Sequence, residues 1–407
     1  MATSQMGKTG TVSAEKLTAA GAETQVAPPK RSGRLISLDV VRGITIAFMI
    51  MVNNNGGTGS WHFMNHSWWN GLTPTDVVFP TFVFVVGVSV VFAFESRLAR
   101  GATRAELARH TVVRALILFL LGIVVNGFPL FSLPHLRYYG VLQRIAVCYL
   151  VVGLFYIAGG RVRGALTVLV ASLVGYWVLI RWVPIPGIGM PGRNVPFMDQ
   201  SANLVSWIDR HLLPHHLLWY PPNYDVRDPE GLLSDLPAIG TALLGLLTGM
   251  WLRAGKTMRT KAAGLATGSI VCLALGYLWS PWFPINKNLW TSSFVLVTAG
   301  YSLALLALAY WAVEMRGWSR GWTWIWLVFG SNAITAYMIS ELLPSGLSSI
   351  HLTDAGRKVT VIQYVIRHVF WHIPNPGWAT FTYSVCFAAL CFVPVWILYR
   401  KRIFVKI

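Results

Sequence analysis

Ten apolar stretches dominate the chain, at roughly 36–54, 76–95, 111–127, 139–158, 164–183, 233–252, 264–281, 292–313, 323–342 and 380–399. Each is close to the 20 or so residues that a helix needs to cross a bilayer core. The pattern therefore predicts an all-α fold, a polytopic transmembrane helical bundle of about ten spans. Composition agrees: 55% of the 407 residues are hydrophobic and 12% are charged, where a soluble domain carries about a quarter charged residues. A weaker amphipathic stretch near 359–372 reads as interfacial.

A formal net charge of +18 would point to nucleic acid in a soluble protein. Here the basic residues sit between the apolar runs, so they read as topogenic and argue against a nucleic-acid partner. Lys30, Arg31 and Arg34 precede the first stretch, and Arg97, Arg100, Arg104 and Arg109 follow the second. Arg253, Lys256, Arg259 and Lys261 follow the sixth, and Arg400, Lys401, Arg402 and Lys406 close the chain. The alternate loops are poorer: the first has neither Lys nor Arg, Arg137 stands alone after the third stretch, and Lys287 alone after the seventh. By the positive-inside rule both termini are expected to be cytoplasmic. Residues 1–34 read as a disordered cytoplasmic tail. Residues 35–407 read as the membrane domain, with long outer loops at about 184–232 and 343–379. Cys148, Cys272, Cys386 and Cys391 all fall in apolar stretches, which argues against disulfides and a zinc site.

Of the ten histidines, only His110 falls on the cytoplasmic side of this map. The others, clustered outside, fit proton-transfer chemistry there; simple filling of polar interfacial positions fits them too. Ionisable groups in or beside a span are functional candidates. Asp39 and Arg42 lie three apart on one helix face, as an internal ion pair or as a contact for a ligand entering from the cytoplasm. Asn53, Asn54 and Asn55 end the first stretch. Thr75 is expected to cap the second helix with Asp76 in its first turn, which leaves His66 unexplained. Gln143 and Arg144 open the fourth stretch, and Arg144 needs an anionic partner. Asp228 and Glu230 precede the sixth and suit a helix start. Lys287, Asn288 and Trp290 precede the eighth. Asn332 falls inside the ninth as an inter-helix tie, with Glu341 at its outer end. Together these groups predict a polar cavity in the outer half of the bundle.

Six runs become recognisable in this order: Arg34–Gly43, Asn53 through His66 to Pro80, Gly140–Arg144, Asp228–Gly231, Asn286–Ser293 and Gly330–Ile334. They resemble blocks of the heparan-α-glucosaminide N-acetyltransferase family, in its bacterial branch, which carries the catalytic domain only. The resemblance runs from about residue 34 to the C-terminus. It implies a membrane acyltransferase that moves an acetyl or acyl group from cytosolic acetyl-CoA (acyl-CoA), as co-substrate and without a metal, to an amino sugar or saccharide on the periplasmic side. It implies His66 as the catalytic histidine and an asparagine at the end of the first span, Asn53 in preference to Asn54. Asp76 would orient His66 if the chain folds back. Asp39, Arg42, Gln143, Arg144, Asp228, Glu230, Lys287, Asn288, Trp290 and Asn332 are the positions expected to bind substrate or co-substrate. Similarity to the animal enzymes also suggests a homodimer. A neutral imidazole can take the nucleophile's proton or accept the acyl group itself. Two other functions compete. One is a transporter or flippase for a sugar or lipid-linked saccharide. The other is a metal-dependent hydrolase on His211 and His215 or His368 and His372, weakened by Pro214 and by the lack of the glutamate of an HExxH helix.

Overall fold

Apolar runs of this length become helices because lipid offers the backbone no hydrogen-bond partner. The computed structural model describes residue 1 and residues 35–57, 59–213, 219–220, 225–318 and 321–405. Beyond residue 1, the tail expected over 1–34 lies outside the described residues, as do His215 and His216. The helices are α1 (Ile36–Asn53), α2 (Pro74–Leu98), α3 (Arg104–Gly127), α4 (Val141–Ile157), α5 (Val162–Trp182) and a short α6 (Leu204–Leu212). They continue with α7 (Asp235–Arg253), α8 (Met258–Trp279), α9 (Ser292–Ala309), α10 (Thr323–Ser331), α11 (Ala333–Ser349), α12 (Val361–Val365) and α13 (Pro376–Arg400). Two small antiparallel hairpins interrupt them, β1 (Trp219–Tyr220) with β2 (Asp225–Val226) and β3 (His351–Asp354) with β4 (Arg357–Thr360).

Every apolar stretch lies on a helix, but not every helix is a simple span. Among the described residues eight helices are long and apolar enough to cross a membrane, or nine spans if the bent pair counts as one. The fourth stretch forms only the 17 residues of α4. The ninth is not straight: α10 and α11 meet at a 79° bend, with Asn332 at the break. The segment expected to be interfacial is the end of β4, α12 and a π-helical turn, Ile366–Phe370. The outer loop expected to open at 343 starts later, because α11 continues to Ser349.

The spans sort into two layers. In α1, α2, α7 and α9, 67–72% of the apolar stretch is buried, against 17–28% in α3, α5, α8 and α13. The outer helices therefore present side chains such as Leu120, Val170, Ile270 and Leu390 to their surroundings, an arrangement suited to lipid and not to water. Between helices in lipid, association rests on close van der Waals approach. Two contacts show it. On the α2–α7 face a Cβ added to Gly87 would stand 2.0 Å from the Ala242 carbonyl oxygen, and one on Gly245 would stand 2.0 Å from that of Phe84. On the α1–α10 face a Cβ on Gly43 would stand 1.9 Å from the Trp326 carbonyl oxygen.

Gly245→Ala is expected to destabilise the protein by about 1–3 kcal/mol through overpacking. Gly175→Ala on α5 has nothing within 4 Å of the added methyl and should be neutral or stabilising by up to about 1 kcal/mol. Thermal unfolding of the two variants side by side in detergent measures the difference.

Candidate active site

The start of α2 builds the site. Thr73 is its N-cap and Pro74 its first residue, where a missing N–H costs nothing. The cap is therefore Thr73 and not Thr75, whose hydroxyl instead donates to the Phe63 carbonyl at 2.8 Å. Asp76, fully buried, accepts from the Thr73 N–H at 2.9 Å and the Thr73 hydroxyl at 3.0 Å. It also accepts from the Ser67 N–H at 3.0 Å. Its remaining oxygen takes His66 Nδ1 at 2.7 Å. A carboxylate only accepts, so Nδ1 carries the proton and the lone pair of Nε2 is left open. The imidazole side chain is 45% exposed. Asn65 anchors the preceding residue: its amide donates to the Ser60 and Trp61 carbonyls and accepts from Asn55 at 3.0 Å.

The α8–α9 loop closes over this turn. Gly71 N–H donates to the Ile285 carbonyl at 2.8 Å, and the Asn286 amide donates to Asn70 Oδ1 at 3.0 Å. Lys287 Nζ then stands 3.2 Å from His66 Nδ1 and 3.0 Å from Nε2. A point so nearly equidistant cannot lie in the ring plane without overlapping Cε1, so the nitrogen sits over the ring face. The pKa of His66 lies below its ordinary 6.5. Burial is the larger cause and the Lys287 charge adds to it, while Asp76 opposes both. Burial also lowers the pKa of Lys287, against the pull of Glu230 and Asp76.

Two arginines hold the neighbouring loops, Arg137 partly buried and Arg144 fully buried. Arg137 binds Asp228 through Nε at 2.7 Å and Glu230 through Nη2 at 2.5 Å. Asp228 and Glu230 are therefore not caps for a helix start; they chelate a guanidinium. Arg144, 0% exposed, pairs with Asp235 at 3.0 Å and donates to the Gly231 carbonyl at 3.2 Å and to the Ser234 hydroxyl. Its guanidinium also lies 4.8 Å from the centroid of the Trp290 ring. Trp290 takes a left-handed φ of 51°, which is rare for a bulky residue. It is held there by full burial and by its indole N–H donating to Thr241 at 3.1 Å.

The remaining predicted residues divide by position. Asn53 is exposed, and its amide donates to Glu341 at 3.0 Å. The Asn54 amide is turned inward, to the Ile50 carbonyl at 3.1 Å and the Ser340 carbonyl at 3.5 Å. Asn288 is partly exposed in the Lys287 turn. Gln143 is 1% exposed, and neither amide atom has a hydrogen-bond partner among the described residues. Asp39 and Arg42 do not join the group. They pair at 3.0 Å near the start of α1, where Arg42 also donates to Ser89 and the Gly330 carbonyl, about 17 Å or more along the helix from Asn53 at 1.5 Å per residue. Asn332 is also remote: its amide donates to the Ile403 carbonyl and accepts from the Val405 N–H, tying the α10–α11 break to the chain end. Arg137 is the group whose part the sequence understated, since a lone loop arginine carries no sign of its two carboxylate partners. The histidine set disperses: His211 and His368 bond backbone carbonyls of their own helices, at Trp207 and Tyr364. Among the described residues no group of three or more His, Cys, Asp or Glu is placed to hold a metal ion.

The sequence has counterparts among known proteins. The family model described as heparan-alpha-glucosaminide N-acetyltransferase, catalytic, matches residues 34–276. The heparan-alpha-glucosaminide N-acetyltransferase of Homo sapiens is 29% identical over 422 residues, covering 92% of this chain and 60% of the relative. That of Mus musculus is 29% identical over 390 residues, covering 84% of this chain and 58% of the relative. The chain thus spans about three fifths of the length of the curated relatives it matches.

Arg144→Met leaves Asp235 buried without its ion pair and is expected to cost about 3–5 kcal/mol. Adding Asp235→Leu should recover part of that loss, because a buried pair replaced by apolar groups can be near neutral. Unfolding midpoints of the single and double variants in detergent check both statements.

Proposed function

Because the chain belongs to the heparan-alpha-glucosaminide N-acetyltransferase family, we propose that it is a membrane acyltransferase. It moves an acetyl group from acetyl-CoA to the amine of an amino sugar at the end of the bundle that carries His66. The observation that carries this reading is the hydrogen bond from His66 Nδ1 to the buried Asp76 carboxylate, which leaves Nε2 as a base. The acceptor amine attacks the thioester carbonyl, a C–N bond forms, and the C–S bond breaks. Nε2 takes the amine proton, and the CoA thiolate leaves and is protonated. Asp76 holds the tautomer and stabilises the imidazolium that forms. Asn53, exposed beside Glu341, supplies a donor for the oxyanion. Lys287 keeps the resting imidazole neutral and adds positive charge where negative charge develops.

The basic residues between the spans support an orientation with both termini in the cytoplasm and His66 on the far side of a bacterial inner membrane. The donor then comes from the cytoplasmic side. Arg42 is committed to Asp39, Ser89 and Gly330, so it serves helix packing better than the CoA phosphates.

His66→Ala should abolish thiol release from acetyl-CoA in the presence of glucosamine. Because it removes one donor from the buried Asp76 carboxylate, it should also cost about 1–3 kcal/mol of stability, so folding at the assay temperature is checked by the unfolding curve. Asp76→Asn should lower kcat by about 10²–10⁴. A neutral base predicts that kcat/KM rises with pH and levels off with a midpoint below the ordinary 6.5. Lys287→Met removes a cause that lowers the His66 pKa, so the midpoint should move up. Asp76→Asn removes causes that raise it, so the midpoint should move down. Rate profiles from pH 5 to 9 that fail to separate these two variants would remove His66 as the base.

A further inference from the structure

We infer that the groove between α1, α2, α8 and α9 holds the hydrocarbon tail of a membrane-embedded acceptor whose head group reaches His66, which makes the natural amino sugar lipid-linked. The inference rests on the acyltransferase reading for the chemistry at the head group, and on the groove itself for the tail. The cavity measures about 440 Å³, within the range of small-molecule sites. Its walls are apolar, with Phe48 from α1, Val78 from α2 and Leu305 from α9.

One end of the groove lies at the N-cap of α2, the turn that also carries the proposed site. Leu72 and Thr73 line that end, and Thr73 binds one oxygen of Asp76 while His66 binds the other. The lining thus reaches Thr73, whose buried partner Asp76 also holds His66, although neither Asp76 nor His66 lines the groove itself. The depth is also telling. The groove reaches Ile44, nine residues before the end of α1, about 14 Å at 1.5 Å per residue. A single leaflet is about 15 Å, half the hydrocarbon core. The cavity therefore matches one leaflet's depth of tail, starting at the His66 end.

The side on which it opens selects the occupant. Tyr277 and Tyr301 line it with their hydroxyls 3.0 Å apart, and they are 47% and 40% exposed. Tyr277 belongs to α8, only 17% of whose apolar stretch is buried. An opening beside such a helix faces the bilayer, so a lipid tail enters sideways, whereas the acyl chain of a water-borne CoA ester has no such route.

Full-length protein in nanodiscs tests this with acetyl-CoA and methyl, octyl or dodecyl glucosaminide. From methyl to dodecyl, kcat/KM should rise about tenfold or more, since burying about two methylenes already yields a factor of ten. Leu305→Trp, which fills the deep end, should bring the dodecyl-to-methyl ratio close to one, whereas simple partitioning into the nanodisc would leave the ratio unchanged. Equal use of all three acceptors by the unmodified protein overturns the groove and leaves the acyltransferase standing. Acetyl transfer to none of them counts against the acyltransferase, and labelling then decides the groove by itself. A dodecyl glucosaminide with a diazirine at its tail should label peptides carrying Phe48, Tyr277 and Tyr301 saturably, with competition by the dodecyl but not the methyl glycoside. Unsaturable labelling spread over the outer faces of α3 and α5 would overturn the assignment whether or not any sugar is acetylated.

Discussion

One buried carboxylate organises the end of the bundle where the chemistry is placed. Asp76 accepts from two backbone N–H groups, one hydroxyl and one imidazole. A buried charge without partners is expensive, and four donors remove most of that cost. They also couple three features that otherwise have no reason to coincide: the start of α2, the turn from Ser67 to Thr73, and the direction of the His66 ring. The ring inherits its orientation from a helix terminus, which is stiffer than a loop. The cap at Thr73 and the base at His66 are thus one structural unit.

The same electrostatic device recurs around it. Arg137 bridges the α3–α4 loop to Asp228 and Glu230, and Arg144 bridges α4 to the segment that opens α7. In a low-dielectric interior such pairs add little net stability, but breaking one is costly. Their effect is to hold long, irregular loops in one arrangement. The α8–α9 loop is held differently, by amide and backbone contacts to residues 70 and 71, and it delivers Lys287 to the ring face. Of these connections the α8–α9 loop touches the imidazole, through Lys287, and Glu230 acts on it through its charge.

The helices were legible because their signal is local. Each apolar stretch carries its own evidence, so even the short α4 was in view. The bend at Asn332 was not, since both halves of the stretch are apolar and the break shows only where the amide reaches the chain end. For the proposed site, His66 stood out as a polar group without a local explanation, and the family resemblance gave it a role. Asp76 read both as a first-turn acid and as a group that would orient His66 if the chain folded back, and nothing local to the sequence chose between the two. Asp228 and Glu230 looked like helix-start acids, a reading that fits any acid before a helix. Only the approach of Arg137 from another loop assigns them differently.

Hydrophobic runs and the placement of basic residues between them determined the helical class and the order of the apolar helices, because the bilayer's demand for satisfied backbone groups acts on each segment separately. The pairing of His66 with Asp76, the Lys287 nitrogen over the ring and the remoteness of Asp39, Arg42 and Asn332 were decided only in three dimensions. Those relations depend on how loops fold back and how closely glycine-bearing helices approach. Neither property belongs to any one stretch of sequence.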